Sequence, residues 1–164
     1  MAVDFFDPTY LEACYAALFM LLQTASFAGG ISISNWARLS DIPDDSVVGN
    51  QPACFLIQGP LHAEEREQKL FGPEKWLFTA FAVIYLRANP TQVASNPLPS
   101  TLANYITWGI ATALAGGAAA PNYQKQTLGG LVSHCWIEGV VGLNVSNEQV
   151  VITVPIVMLA GQVG

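Results

Sequence analysis

A chain of 164 residues can bury a core of its own, so one domain over residues 1–164 needs neither disulfides nor a metal to fold. Its residues are 52% hydrophobic and only 11% charged, against a usual charged share of about 25%, so much of its surface must be hidden in an assembly or meet lipid. Twelve acidic against six scattered basic residues give a net charge of −6, which excludes a phosphate-gripping nucleic-acid binder; Cys14, Cys54 and Cys135, an odd number without CxxC spacing, exclude a disulfide framework and a zinc knuckle and suit a reducing compartment.

The first element is a helix from Pro8 to about Ala25. Tyr10, Leu11, Cys14, Tyr15, Leu18, Phe19 and Leu22 recur at helical spacing, Asp7 is placed to cap it with Pro8 at N1, and Gly29-Gly30 stops it. Residues 10–30 approach the length that spans a bilayer. They contain Glu12 and Gln23, however, and no Lys or Arg flanks them until Arg38, while the start "MAVDFFDP" lacks a basic signal region. Alternation at Ile31 and Ile33 then predicts a short strand within "ISISNWARLSDIP", followed by a loop through "DDSVVGNQP".

"ACFLIQG", bounded by Pro52 and Gly59-Pro60, predicts a second strand, and "PLHAEEREQKLFGPEK" a charged surface excursion with room for one helical turn. "WLFTAFAVIYLRA" predicts a long strand with two largely apolar faces, one through Phe78, Ala80, Ala82 and Ile84, the other through Leu77, Phe81, Val83 and Tyr85. After the Pro-rich loop "ANPTQVASNPLPS", Ser100 is expected to cap a second helix with a stripe of Leu102, Tyr105, Ile106, Ile110, Ala113 and Leu114, ended by "AGGAAAP". The last third predicts a hairpin: residues 128–141, a turn in "GLNVSNEQ", and the strand "VVITVPIVMLAG", whose Pro155 must direct its missing amide to an edge or a bulge.

This order favours the α+β class, a mostly antiparallel sheet with two helices packed on one face. Two helices cover only one face. Leu77, Phe81, Val83 and Tyr85, with Val151, Val157 and Leu159 of the last strand, would remain on the other, and neighbouring copies are the simplest cover for such an area. The expected subunit interface is therefore Phe81, Val83, Tyr85 and Trp136.

No catalytic set assembles. His134 and Cys135 are consecutive in a strand, so they face opposite ways and cannot form the hydrogen-bonded pair that thiol catalysis needs. Cys135 is better taken as an inert core thiol and His134 as lying on the wetter or interfacial face. His62 with Glu64 and Glu65 lacks a second histidine at zinc spacing. The carboxylate pairs Asp44-Asp45 and Glu64-Glu65 lie in loops without apolar walls, and Trp36, Trp76, Trp108 and Trp136 lack the interleaved bases of a base-stacking platform, which leaves them as core or interface anchors. These patterns argue against an enzyme and call for no cofactor or metal.

Taken together, "KQTLGGLVSHCWIEGVV", "VVITVPIVMLAG", "NWARLSDIP" and "QPACFLIQG", with "KWLFTAFAVIYLRA" at the central strand, resemble the tail terminator proteins of long-tailed bacteriophages, most strongly from Gln126 to Gly139. That resemblance implies a ring-forming α+β protomer and a six-membered ring at the head-proximal end of the tail tube. Such a ring stops tube polymerisation and gives the head-neck connector or stopper protein a docking surface. Its partners would be further copies of itself, the major tail tube protein and the neck protein, with DNA crossing the lumen unbound; its place would be the virion, after assembly in the host cytoplasm. Contacts with tube or neck are expected on Glu64, Glu65, Arg66, Glu67 and Lys69 of the charged excursion and Asn89 and Asn96 of the Pro-rich loop. Two alternatives are another phage neck, connector or tail-completion ring protein, and a small membrane-associated protein anchored by residues 10–28.

Overall fold

The computed structural model describes residues 8–41, 51–64, 75–87, 98–115, 127–145 and 149–160. Helix α1 spans Pro8–Leu22 and buries Cys14, Tyr15, Leu18 and Leu22 on one stripe. Its last turn tightens as the amides of Thr24 and Ala25 donate to Leu21 and Leu22, while the Thr24 hydroxyl donates to the same Leu21 carbonyl at 2.6 Å. The expected cap, Asp7, lies outside the described residues. The chain then crosses the second helix, α2 (Pro99–Leu114), at two glycines. A Cβ on Gly109 would sit 2.3 Å from Phe27 Cδ1 and 2.8 Å from the Ser26 carbonyl oxygen, and one on Gly29 would sit 2.7 Å from the Tyr105 ring. Close passage of chain over helix is what these two positions provide.

Strand β1 is Asn35–Leu39, later than the alternation at Ile31 and Ile33 predicts. Those two isoleucines pack against the core from irregular backbone. The ladder opens where the amides of Ser34 and Asn35 both donate to the Pro52 carbonyl, at 3.2 and 3.3 Å, and the Trp36 indole donates to the Ile33 carbonyl. Strands β2 (Ala53–Glu64) and β3 (Lys75–Arg87) form a long antiparallel pair with a register shift between Gln58 and Leu61. The head of the predicted charged excursion, 61–64, is thus strand; its expected helical turn falls on residues outside the described set.

α2 starts at Pro99 with Leu98 at the N-cap and no side-chain cap bond. Ser100 is therefore inside the first turn instead of capping it, because Pro99 fits N1, where a missing amide costs nothing. The predicted terminal hairpin resolves into three strands: β4 (Val132–Ile137), β5 (Gly142–Val145) and β6 (Gln149–Ala160). "GLNV" is strand, not turn. β4 pairs with 156–160 of β6 and β5 with 150–153, end to end along one side. Pro155 faces the break between them. Its carbonyl takes the Glu138 amide at 3.2 Å on that side, so the missing proline N–H points where no ladder bond is required.

The sheet order is β1-β2-β3-β6-β4, with β5 also on β6. All pairings are antiparallel except β1 with β2, which is parallel. Both helices lie on one face. The inner residues of the strands, Cys54, Leu56, Phe78, Ala80, Ala82, Ile84, Ile152, Val154, Ile156 and Met158, join Leu18, Leu22, Ile106 and Ile110 in one cluster. Small Ala80 and Ala82 at the centre of β3 let the helices approach the sheet. Two hydroxyls tie α1 down: Tyr15 donates to the Thr79 carbonyl at 3.0 Å and Tyr10 to the Leu131 carbonyl at 2.6 Å. The chain is thus α+β, as its pattern predicts, with one parallel pairing that the pattern does not reveal.

Candidate assembly surface

The outer face of the sheet divides into two halves. In one, Ala53, Phe55, Ile57, Val83 and Tyr85 form a second buried cluster, with the Phe55 and Tyr85 rings 5.6 Å apart. Val83 is 1% and Tyr85 3% exposed within the single protomer. Neither has area left for a neighbour, so two of the four residues expected at the subunit interface are internal, covered by their own chain. The other half stays partly open. Register places His134, Leu159 and Leu77 in one row across it, Trp136, Val157 and Thr79 in the next, and Pro155 beside Phe81 after that. Phe81, Leu77, Leu159, His134 and Trp136 are all half-buried. Gly59 of β2 makes room for this arrangement, since a Cβ there would meet Thr79 Oγ1 at 2.4 Å and Phe81 Cε2 at 3.0 Å.

His134 and Cys135 do separate onto opposite faces. β4 carries a register shift between Val132 and His134, so Val132 and Cys135 both reach the core while Ser133 is exposed. His134 stacks on Trp136 with ring centroids 4.9 Å apart and an interplanar angle of 19°, and the indole donates to Glu138 at 2.7 Å. This edge holds Trp136 in one orientation, as an interface anchor requires. Among the described side chains the Glu138 carboxylate, bonded to the Trp136 indole, is the charged group against the open half.

The thiols are internal. Burial pushes Cys54 and Cys135 up to about 12, Cys135 also through the nearby Cys14, and raises Cys14, with the neighbouring Tyr10 hydroxyl opposing the rise to a smaller extent. All three are free and buried, so they lack the thiolate character of a nucleophile. Burial likewise lifts the Tyr15 phenol to about 12. At the surface, Arg38 of β1 clasps Glu12 of α1 with both guanidinium nitrogens, Nη2 to Oε2 being 3.2 Å. That hydrogen bond first, and the charge second, hold the Glu12 carboxyl below its ordinary value.

An open groove of about 310 Å³ runs where α1 leads to β1, lined by Gln23, Ser26, Phe27, Ile31, Ile33 and Trp36 among others, without one titratable side chain. No cluster of three or more His, Cys, Asp or Glu able to hold a metal occurs among the described residues. Glu64 is placed at the end of β2 opposite Lys75; Glu65, Arg66, Glu67, Lys69, Asn89 and Asn96, and likewise Asp44 and Asp45, lie outside the described residues.

One surface was not among the expected contacts. α2 contains no charged residue, and its exposed side consists of Ser100, Asn104, Trp108 and Ala111, with Trp108 53% exposed. The signal was available in "PSTLANYITWGIATAL", since a helix facing water ordinarily carries charge on its outer side. Among the described residues no helix is long and apolar enough to cross a membrane. Residues 10–28, the anchor of the membrane alternative, split into the 15-residue α1 and a non-helical crossing segment. No protein-family model matches the chain, and no curated protein matches it in sequence.

Proposed function

We propose that this chain is a structural ring protein of the phage tail terminator kind, which caps the head-proximal end of a tail tube, stops its polymerisation and receives the neck. The observation that carries this is the open half of the outer sheet face: half-buried, aromatic and aliphatic, with the Glu138 carboxylate against its Trp136. A face of that chemistry on a folded protomer is an association surface. The α+β protomer with both helices on one side and the sequence resemblance supply the rest. An interior built from such a chain, net −6, gives passing DNA no phosphate grip.

In this role the protein works by geometry, with the partners proposed from the resemblance: copies of itself in a six-membered ring, then the tube protein on one side and the neck protein on the other. The test is the solution mass of the purified chain by light scattering, with negative-stain images of the same sample. Six-fold rings with a central hole, and tail tubes that stop growing when the rings are added, are the expected result. A chain that stays monomeric and leaves tube growth unchanged defeats the proposal.

A further inference from the structure

Between α1 and β1 the chain runs as a strap, residues 25–33, across α2, and it is held differently from the elements it joins. Backbone hydrogen bonds fix its two ends: the Ala25 amide donates to Leu22 at 3.0 Å and the Ser34 amide to Pro52 at 3.2 Å. Between them, among the described residues, no backbone-to-backbone bond joins residues 26–33 to α2 or to the sheet. None of these residues is buried, whereas Phe78, Ile84, Ile152 and Ile156 of the sheet are wholly so.

Packing seats the strap at one place. The Phe27 ring and the Ser26 carbonyl rest on Gly109, where a Cβ would stand 2.3 and 2.8 Å from them, and Gly29 rests on the Tyr105 ring. Beside this seat Gly29 and Gly30 both take a φ of +72°, and a Cβ on Gly30 would meet nothing within 4 Å. The backbone is free to turn there.

We infer that the strap is a latch, which lifts off α2 as a local unit while both helices and the sheet stay folded. Opening breaks the half-buried contacts of Phe27, Ile31 and Ile33 and the bond from the Trp36 indole to the Ile33 carbonyl, and it leaves every ladder bond of the sheet intact. Segments held by so little open below the free energy of global unfolding. The open latch uncovers Tyr105 and Gly109 of α2, next to the exposed Trp108. It also removes the groove, whose lining apart from Trp36 comes from residues 23–33.

Native-state proteolysis tests this, because cleavage of a transiently opened segment follows the population of its open form. Chymotrypsin is added to the folded protein, and the cuts after Phe27 and after Phe78 are followed by mass spectrometry. The bond after Phe27 should be cut at a rate that is flat in low urea, since local opening exposes little surface, while cutting after Phe78 inside β3 should climb with urea. Gly109→Ala forces a methyl group under the closed strap and should raise the Phe27 rate about tenfold, still flat in urea. Tyr105→Ala, which removes the ring beneath Gly29, should act in the same direction and replaces Gly109→Ala if that variant loses its native circular dichroism.

A bond after Phe27 that resists the protease, or that is cut only in step with the bond after Phe78 as urea rises, means that the strap opens with the whole fold and overturns the latch. A flat rate that the variant leaves unchanged overturns its seat on α2.

Discussion

Replacing Gly109 by alanine sets two effects against each other on one atom. In the interior of a helix, Gly→Ala is ordinarily worth about 1 kcal/mol in favour of alanine. Here the new methyl would stand 2.3 Å from Phe27 Cδ1, 2.7 Å from Cε1 and 2.8 Å from the Ser26 carbonyl oxygen. One obstruction is backbone, so relief requires the crossing segment to lift off α2. Overpacking of this kind costs about 1–3 kcal/mol, and contacts this short belong at the upper end. The net expectation is a loss of about 1–2 kcal/mol for Gly109→Ala. Asn104→Ala, on the exposed side of the same helix, supplies the propensity gain without the clash and should stabilise by about 0.5 kcal/mol. Urea melts of the three proteins at one fixed concentration decide the matter. A Gly109→Ala protein as stable as the wild type, or more stable, would refute the seating of Ser26 and Phe27 on α2.

Tyr15→Phe removes the bond to the Thr79 carbonyl beneath α1 and should lower stability by about 1 kcal/mol, measured by the same melts; an unchanged midpoint would mean that the hydroxyl contributes nothing. The thiols should resist alkylation in the native state at pH 8 and all react in denaturant, as counted by mass spectrometry. Their linkage to stability has a definite sign: Cys54 and Cys135 are lifted from 9.0 to about 12, so the folded state holds protons that the unfolded state releases. That contribution is complete below pH 9 and is lost as pH rises toward 12, at up to about 1.4 kcal/mol per pH unit for each group; Cys135→Ala should flatten this alkaline slope in a pH series of melts. Glu12→Gln should leave the melting midpoint at neutral pH nearly unchanged, since its pairing with Arg38 is exposed. Deleting residues 64–69 should leave oligomers intact by light scattering yet reduce attachment to tails; collapse of the oligomer instead would rule out a peripheral role for that segment.

The strands were legible wherever period-two alternation ran long. "WLFTAFAVIYLRA" announced both faces of β3, and its even-numbered residues are the ones under the helices. Short-range signals misled where a distant partner took the backbone. Ile31 and Ile33 alternate like a strand, but the pairing with β2 opens only at Asn35, beside the Pro52 carbonyl. "GLNV" reads as a turn by its glycine and asparagine and becomes a strand because β6 has unpaired backbone beside it. The parallel pairing of β1 with β2 leaves no mark in the composition of either segment. At the candidate surface, adjacency in a strand sufficed to separate His134 from Cys135, whereas the burial of Val83 and Tyr85 depends on neighbours from other strands, Ala53, Phe55 and Ile57. Trp108 was visible as an anchor but not as an exposed one; the absence of charge along α2 was the missing clue.

The position of β6 bears on how the chain is made. The strand lies between β3 on one side and β4 with β5 on the other, yet it is the last of the described elements to be synthesised. Until residues 149–160 leave the ribosome, β3 presents a bare edge of alternating apolar residues, and the layer beneath the helices lacks Ile152, Val154, Ile156 and Met158. Such an edge is a template for adventitious strand pairing, and closing it joins segments more than sixty residues apart in sequence (87 to 149 at the nearest). Nascent chains halted before residue 149 are therefore the aggregation-prone species, and the order of synthesis delays the appearance of an assembly-competent surface until the protomer can close.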